Sequence, residues 1–462
     1  MTRLVIAVLL LLATTPAGAT ADISFQWSVP ERLSGNGVAT SARTVDEAAA
    51  ASPTVVELRS CQEDPSWTLD GAPADVAPSG HCKYRLELPD AGPHEVTLEA
   101  GGESVPATVS ARDFLIVSIG DSVGSGEGNP DGPDLAHPHW LERRCHRSMR
   151  SGAAQAALAL EAGSPHSSVT FLPLACSGAT VAKGLLGPYG GVQKDASLGD
   201  LPAQVSQLVE LQRRRPIDAV LLSVGANDVY FAPLAMFCAR VDDCPRQPFN
   251  PADPLHDPAA GAQTAEEVHT AAQERLRGSY DELAAALARA GIAPERVIIV
   301  EYFDPTRDEG GEPCHAVLPG IHVPEAEWAE SSVLEPLNDE IRSTNLRLGW
   351  RVVGGVEEAF ARHGICTSHR NRWIVRIPDS ILRGARLSGP LHPNEAGHQA
   401  TAAQIAPVLA DAVGFEGGTA LAQLAGSPGD DGGIEWLQVA IAALIGAIVG
   451  VVGALFLPRL IG

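Results

Sequence analysis

The stretch FLIVSIGDSVGSGEG, residues 114–128, joins an apolar run to a glycine-rich turn that contains Ser122. The run is short and nearly free of polar residues, which is typical of a strand buried on both faces. The turn has three interpretations: a G-x-S-x-G nucleophile elbow, the Gly-Asp-Ser motif of another class of serine esterase, or a phosphate-binding loop. The surrounding sequence decides between them.

Strand-like apolar runs alternate with helical segments over residues 113–413. The apolar runs are FLIVSIG, SVTFLPLAC, IDAVLLSV and RVIIVEY, and helices are predicted around 152–162, 202–214, 265–289, 326–348, 356–363 and 395–413. The runs show little alternation between apolar and polar residues, as expected for parallel strands covered on both faces. The pattern predicts a doubly wound α/β domain with a parallel sheet.

Residues 22–112 follow a different pattern. Short alternating runs, among them TVVELRS, YRLELP and HEVTLEA, are separated by clusters of Gly, Pro and Asp. This spacing predicts a small all-β, Ig-like sandwich. It carries no recognisable catalytic motif, so we expect a spacer or binding module.

The phosphate-binding interpretation is poorly supported, because the glycines do not follow the G-x-G-x-x-G spacing and no Gly-Lys-Ser/Thr occurs. The elbow interpretation matches locally. However, the α/β-hydrolase fold places several α/β units and an oxyanion loop before the nucleophile, whereas the segment before Ser122 is predicted to be all-β. Ser122 therefore follows the first strand of its own domain.

Three further motifs follow Ser122 in the same domain. They are ACSGAT with Gly178, GAND with Asn227 and LHPNEAGH with His392, each next to a predicted strand or helix. In this order the four motifs resemble the SGNH or GDSL family of hydrolases, over roughly residues 113–413. The neighbouring CHRS, residues 145–148, and LACSGAT, residues 174–180, are similar to the secreted, disulfide-bonded bacterial branch related to Streptomyces esterases and phospholipases.

The resemblance implies a role for each motif residue. Ser122 would be the nucleophile and His392 its base, because a serine hydroxyl needs an imidazole to take its proton at neutral pH. The oxyanion hole would comprise the backbone N–H groups of Ser122 and Gly178 and the side-chain amide of Asn227. Neither a metal nor an organic cofactor is expected.

The family usually has an aspartate three residues before the histidine, but Gly389 stands there in this sequence. The resemblance to the Streptomyces branch implies that a backbone carbonyl replaces the carboxylate. We therefore expect the carbonyl of Gly389 or Pro390 to accept a hydrogen bond from Nδ1 of His392, giving a Ser-His dyad. The alternative is a weakened or inactive enzyme.

Eight cysteines, an even number, suit an oxidising compartment. They lie in sequence-local pairs, which suggests the disulfides Cys61–Cys82, Cys145–Cys176, Cys238–Cys244 and Cys314–Cys366. No C-x-x-C occurs, which disfavours structural zinc. The formal net charge of -23 disfavours binding to nucleic acid, since that affinity rests on clustered Lys and Arg.

Both ends of the chain carry apolar segments. Residues 1–21 have the pattern of a secretory signal peptide. Residues 436–457 predict a single transmembrane helix after a linker, 414–435, and before a short cytoplasmic tail, 458–462. Small residues within this helix permit close helix–helix contact and thus a homodimer, namely Gly446, Gly450 and Ala454.

The sequence as a whole predicts an exported, membrane-anchored serine ester hydrolase with its catalytic domain outside the cytoplasmic membrane. Its substrate would be an acyl ester of a lipid or an acylated glycan. Two alternatives are an O-acyltransferase or acetylesterase acting on envelope glycans, and a non-catalytic binding or scaffold protein at the cell surface.

Overall fold

The computed structural model describes residues 23–33, 41–50, 54–132, 139–195, 197–256, 262–315, 321–382 and 389–415. The expected signal peptide, linker, membrane helix and dimer residues lie outside these ranges. Within them, no helix is both long and apolar enough to cross a membrane. The chain divides into two compact units, of which the smaller comprises the described residues up to Ser28 together with Thr54–Ala111.

The smaller unit consists of two four-stranded antiparallel sheets. Its strands are β1 (Gln26–Ser28), β2 (Val55–Arg59), β3 (Ser66–Leu69), β4 (Ala72–Pro73), β5 (Val76–Gly80), β6 (Lys83–Glu87), β7 (His94–Ala100) and β8 (Glu103–Val109). The sheet orders are β1-β2-β6-β5 and β4-β3-β7-β8. Trp67 on β3 is buried and its ring packs against Tyr84 on β6, which joins the two sheets as the alternating sequence pattern predicts.

The described residues of the segment 29–53 belong to the larger unit, whereas the sequence pattern predicts that they are part of the β domain. The buried carboxylate of Glu161 accepts hydrogen bonds at 2.9 Å from the backbone N–H groups of Arg32 and Leu33. The segment also contains the short helix α1 (Val45–Ala50), which packs into the core of the larger unit. The sequence does not predict this placement. The segment shows no extended helical or strand periodicity, and Glu161, which binds it, lies more than 120 residues away.

The larger unit is built on a five-stranded parallel sheet. Its strands are β9 (Arg112–Gly120), β10 (Ser167–Pro173), β11 (Ala219–Ser223), β12 (Val297–Val300) and β13 (Arg351–Val353), in the order β10-β9-β11-β12-β13. β11 and β12 are buried throughout, as the unbroken apolar runs predict. The predicted α/β fold with a parallel sheet is confirmed.

Helices connect the strands of this sheet and follow the last of them, β13. They are α2 (Ser122–Ser125), α3 (Gly152–Ala162), α4 (Gln204–Arg214), α5 (Phe231–Cys238), α6 (Ala265–Arg289), α7 (Val323–Trp328), α8 (Glu335–Leu348), α9 (Val356–Phe360), α10 (Ile377–Leu382) and α11 (Glu395–Ala412). α3 packs against α11. The helix predicted over 326–348 is two helices, α7 and α8, joined by a π-helical turn at Ala329–Leu334.

The strand order creates a crevice at the carboxyl ends of β9 and β11. The chain leaves β9 toward β10 on one side and later adds β11, β12 and β13 on the other side. Right-handed crossovers then place the connecting helices on opposite faces, so the loops after β9 and β11 diverge. Ser122 follows β9 and Asn227 follows β11, so the crevice lies between two of the predicted site residues.

Replacing Glu161 tests the attachment of residues 29–33. In Glu161→Ala, three backbone N–H groups lose their acceptor, those of Arg32, Leu33 and Val169. We expect the free energy of unfolding to fall by about 3 kcal/mol, because buried unsatisfied donors are costly. Urea denaturation measures this change. The control Glu210→Ala, at an exposed carboxylate on α4, should change stability by about 0.5 kcal/mol or less; equal losses in the two variants would contradict the assignment.

Candidate active site

Ser122 and His392 meet although 270 residues separate them along the chain. The hydroxyl of Ser122 donates to Nε2 of His392 at 2.7 Å, and Nδ1 of His392 donates to the carbonyl oxygen of Pro390 at 3.2 Å. The carbonyl of Gly389 accepts instead from the backbone N–H of His392. Of the two carbonyls expected to orient the imidazole, that of Pro390 makes the hydrogen-bond contact with Nδ1, and both carbonyls raise the pKa of His392 against its desolvation.

Asp121 fixes the turn that presents Ser122. Its carboxylate caps α2 by accepting from the backbone N–H of Val123, and it also accepts from the hydroxyls of Ser223 and Tyr302. Burial raises the pKa of Asp121 to about 6, against the lowering effect of these hydrogen bonds. Since Ser223 ends β11 and Tyr302 follows β12, one side chain connects the ends of three strands.

Gly120 is held from another direction by the buried amide of Gln204. The backbone N–H of Gly120 donates to Oε1 of Gln204 at 2.6 Å, and Nε2 of Gln204 donates back to the carbonyl of Gly120 at 3.0 Å. The same carbonyl accepts from the backbone N–H of Cys176. The end of β9 is thereby tied to the loop that carries Gly178.

Gly178 occupies a position that only glycine fits. Its φ is +82°, in the left-handed region, and a Cβ there would overlap with the hydroxyl of Tyr189. The loop is further held by the buried guanidinium of Arg147, which donates to the carbonyls of Leu174 and Ala175 at 2.8 and 2.9 Å. Burial lowers the pKa of Arg147 to about 10, so it remains a cation.

Asn227 lies in the loop after β11 and contacts the loop of Gly178. Its Nδ2 donates to the carbonyl of Ala179 at 3.0 Å, and an amide nitrogen carries a second hydrogen for a substrate oxygen. The next residue, Asp228, accepts from the backbone N–H of Val181. The two adjacent side chains thus hold the Asn227 and Gly178 loops together.

Leu391 places His392 through an unusual backbone conformation. Its φ is +66°, in the left-handed region that branched side chains rarely adopt. Backbone hydrogen bonds to Val375 on both sides hold this geometry: Leu391 N–H donates to the Val375 carbonyl, and Val375 N–H donates to the His392 carbonyl. His392 itself is half-buried, and desolvation lowers its pKa.

A buried cluster of polar side chains adjoins the site. The carboxylate of Glu127 accepts from Nδ1 of His146 at 2.7 Å and from the hydroxyl of Ser177 at 2.5 Å. Cys145 precedes His146 and Cys176 precedes Ser177, and these two cysteines form a disulfide. All four disulfides connect the pairs expected from the sequence.

Sequence reasoning assigns no role to several residues that support the site, namely Asp121, Glu127, His146, Arg147, Gln204 and Tyr302. Asp121 and Glu127 stand within the opening stretch, so their proximity to Ser122 was available as a signal. The others act over long separations that no local pattern reveals. Among the described residues, Cys61, His81 and Cys82 have potential metal-ligating atoms close together, but the two sulfurs are joined in a disulfide.

A comparison with models of protein families identifies the family of this chain. Residues 118–400, more than half of the chain, match the model of the GDSL-like lipase/acylhydrolase family. The chain belongs to this family. It is therefore a carboxylic ester hydrolase of the GDSL type, and the matched region contains Ser122, Gly178, Asn227 and His392.

Several solved structures are similar to this GDSL-type chain. Phospholipase A1 from Streptomyces albidoflavus is 20% identical with a TM-score of 0.41, and the match covers 64% of this chain and 98% of that one. A family two carbohydrate esterase from Clostridium thermocellum is 16% identical with a TM-score of 0.31, covering 85% and 100%. A carbohydrate acetylesterase family member from Sinorhizobium meliloti is 14% identical with a TM-score of 0.30, covering 65% and 99%. No curated protein matches the chain.

Asp228 gives the site a measurable pH dependence. Burial raises the pKa of Asp228 from 3.8 to about 7. Folding therefore favours its neutral form, so its stabilising contribution is complete below pH 4 and is lost as the pH rises through 7. We expect Asp228→Asn, which keeps an oxygen for Val181 N–H, to lose less stability than the wild type between pH 4 and pH 8.

Thermal unfolding at a series of pH values measures this difference. Asp242→Asn, at an exposed position, serves as the control and should follow the wild-type curve. A curve for Asp228→Asn that runs parallel to the wild type would contradict the burial of an uncharged carboxyl at position 228.

Proposed function

We propose that the chain hydrolyses carboxylic esters with a Ser-His dyad formed by Ser122 and His392. The observation that carries the proposal is the 2.7 Å contact between the Ser122 hydroxyl and Nε2 of His392. The nucleophile and its base are within hydrogen-bond reach without a bound substrate, as general-base catalysis requires. Desolvation lowers the pKa of His392, which favours the neutral imidazole that can accept a proton.

The reaction proceeds in two acyl-transfer steps. Oγ of Ser122 attacks the ester carbonyl carbon while its proton passes to Nε2 of His392, giving a tetrahedral intermediate. Collapse of the intermediate breaks the bond to the alcohol, which leaves with the proton from His392. Water then attacks the acyl-serine by the same route, releasing the carboxylic acid and restoring the hydroxyl of Ser122.

The oxyanion of the intermediate would bind to the N–H groups of Ser122 and Gly178 and to the side-chain amide of Asn227. This assignment is supported by the rigidity of the two loops that carry the donors. The Asn227 amide already contacts the Gly178 loop, and Asp228 anchors the same loop at Val181. Donors fixed in advance stabilise developing charge without reorganising during the reaction.

Replacement of Ser122 tests the dyad. We expect Ser122→Ala in the full chain to reduce hydrolysis of p-nitrophenyl esters, from acetate to palmitate, by roughly 1,000-fold or more, because the attacking atom is removed. Ser206→Ala, at an exposed position on α4, should retain wild-type rates. If Ser122→Ala were as active as Ser206→Ala, the dyad would be rejected, whereas the dependence on acyl length would identify the preferred ester.

The substrate class is proposed as acyl esters of lipids or O-acetyl groups of envelope glycans. The acyl-serine could also pass its acyl group to a sugar hydroxyl instead of water. Product analysis with a glycan acceptor separates transfer from hydrolysis. The Ser122–His392 contact argues against a purely non-catalytic scaffold, since a binding module has no need of an activated hydroxyl.

We also propose that the protein acts outside the cytoplasm, because its four disulfides suit an oxidising compartment. Membrane anchoring by residues 436–457 remains a sequence-based prediction on residues outside the described ranges. We expect the full chain to sediment with membranes of the expressing cells and a chain ending at residue 430 to remain in the soluble exported fraction. Equal sedimentation of the two chains would contradict the anchor.

A further inference from the structure

The dyad lacks a carboxylate hydrogen-bonded to the histidine, yet a buried carboxylate lies next to the segment that carries His392. Glu127 has no exposed surface. Its backbone carbonyl accepts from Nε2 of His398 at 3.0 Å. A Cβ built on the following residue, Gly128, would lie 3.2 Å from Cβ of His392, so the two chain segments are in direct contact.

Hydrogen bonds to Glu127 favour the ionised form of its carboxyl group. Nδ1 of His146 donates to the carboxylate at 2.7 Å, and the hydroxyl of Ser177 donates to it at 2.5 Å. Gln193 supports this ring orientation, because its Oε1 accepts from Arg143 and its amide nitrogen therefore faces Nε2 of His146 at 2.6 Å.

The other titratable groups facing His392 do not cancel this charge. His398 also faces the site, but burial lowers its pKa to about 4 and leaves it neutral at working pH. Arg150 faces His398 and is paired with Glu395 at 2.5 Å. Among the groups that act on His392, Glu127 is the one that favours its cationic form most strongly.

We propose that Glu127 is a positioning residue that supplies the negative charge of the missing aspartate and stabilises the imidazolium of His392 without touching its ring. The proton that His392 takes from Ser122 creates a cation, and a fixed anion nearby lowers the free energy of that state. Orientation and charge are then provided by separate groups, Pro390 and Glu127.

The pKa directions agree with this division. Burial raises the pKa of Glu127, but the hydrogen bond and the electrostatic influence of His146, the positive charge that forms on His392 and the hydrogen bond from Ser177 outweigh it, so the net direction is downward. For His392, desolvation lowers the pKa and Glu127 is the foremost influence that raises it. Removal of the Glu127 charge should therefore lower the pKa of His392 further.

The test is the pH dependence of kcat/KM for p-nitrophenyl acetate in the full-chain variant Glu127→Gln, which keeps the shape and removes the charge. The proposal depends on the Ser122–His392 dyad. We expect the acid limb of the profile to move to lower pH by roughly half a unit to one unit, and kcat to fall roughly tenfold because a less basic His392 accepts the proton less readily. Glu127→Asp, which keeps the charge, should keep its acid limb within about 0.2 units of the wild type.

Glu161→Gln is the matched control, since Glu161 is equally buried in the same unit but faces the segment of residues 29–33. Its acid limb should not move. Three outcomes would each overturn the proposal. The acid limb of Glu127→Gln could stay at the wild-type pH, the acid limb of Glu127→Asp could move as far as that of Glu127→Gln, or the acid limb of Glu161→Gln could show the same shift. Full activity of Ser122→Ala would instead overturn the dyad itself, so the two failures are distinguishable.

A measurement on the wild type keeps the proposal falsifiable if Glu127→Gln does not fold. In protein labelled with ¹⁵N-histidine, the ring nitrogen shifts report the protonation state of each imidazole. We expect Nδ1 of His146 to carry a proton, because it donates to the Glu127 carboxylate. An unprotonated Nδ1 would remove the hydrogen bond that favours the ionised carboxylate and would overturn the proposal.

Discussion

The site depends on one buried carboxylate, that of Asp121, which accepts hydrogen bonds at the point where three parallel strands end. Its donors come from α2, from the end of β11 and from the segment after β12. Parallel strands of unequal length have no intrinsic reason to end in register, and a shared, fully buried acceptor fixes their ends together. Ser122 is the next residue, so the proposed nucleophile takes its position from the sheet.

A second set of constraints holds the loop of Gly178. The disulfide Cys145–Cys176 and the guanidinium of Arg147 attach it to the segment after Gly128, and Asn227 and Asp228 attach it to the loop after β11. These contacts come from different directions and use different chemistry. Together they leave a loop that is irregular in conformation but fixed in place, which a preorganised oxyanion site requires.

The sequence predicts those residues of the candidate site that lie in local motifs, and it does not predict those that act across long separations in the chain. Ser122, Gly178, Asn227 and His392 lie in short motifs beside strands or helices, so local pattern and resemblance are sufficient to propose them as site residues. Gln204 and Tyr302 act on residues 84 and 181 positions away, and nothing in their neighbourhood distinguishes them from ordinary helix and strand residues.

The same argument explains the misplaced domain boundary. Residues 29–33 bind to Glu161, which is more than 120 positions away, and α1 is too short to show a helical period. Pattern analysis assigns such a segment to the domain that precedes it in the chain. The structure assigns it to the unit that satisfies its backbone N–H groups, because buried donors without acceptors are costly.

In the proposed dyad, a backbone carbonyl takes the place of an aspartate in hydrogen-bond contact with the histidine. A carbonyl accepts from Nδ1 and fixes the tautomer, but it carries only a partial charge and must be aimed accurately. Leu391 provides that aim: its left-handed conformation turns the Pro390 carbonyl toward the ring, and backbone hydrogen bonds to Val375 offset the cost of the strain. Because the backbone orients the ring of His392, the negative charge that stabilises its cation does not need to contact the ring. A buried carboxylate on a neighbouring segment, Glu127, can provide that charge through a medium of low dielectric constant.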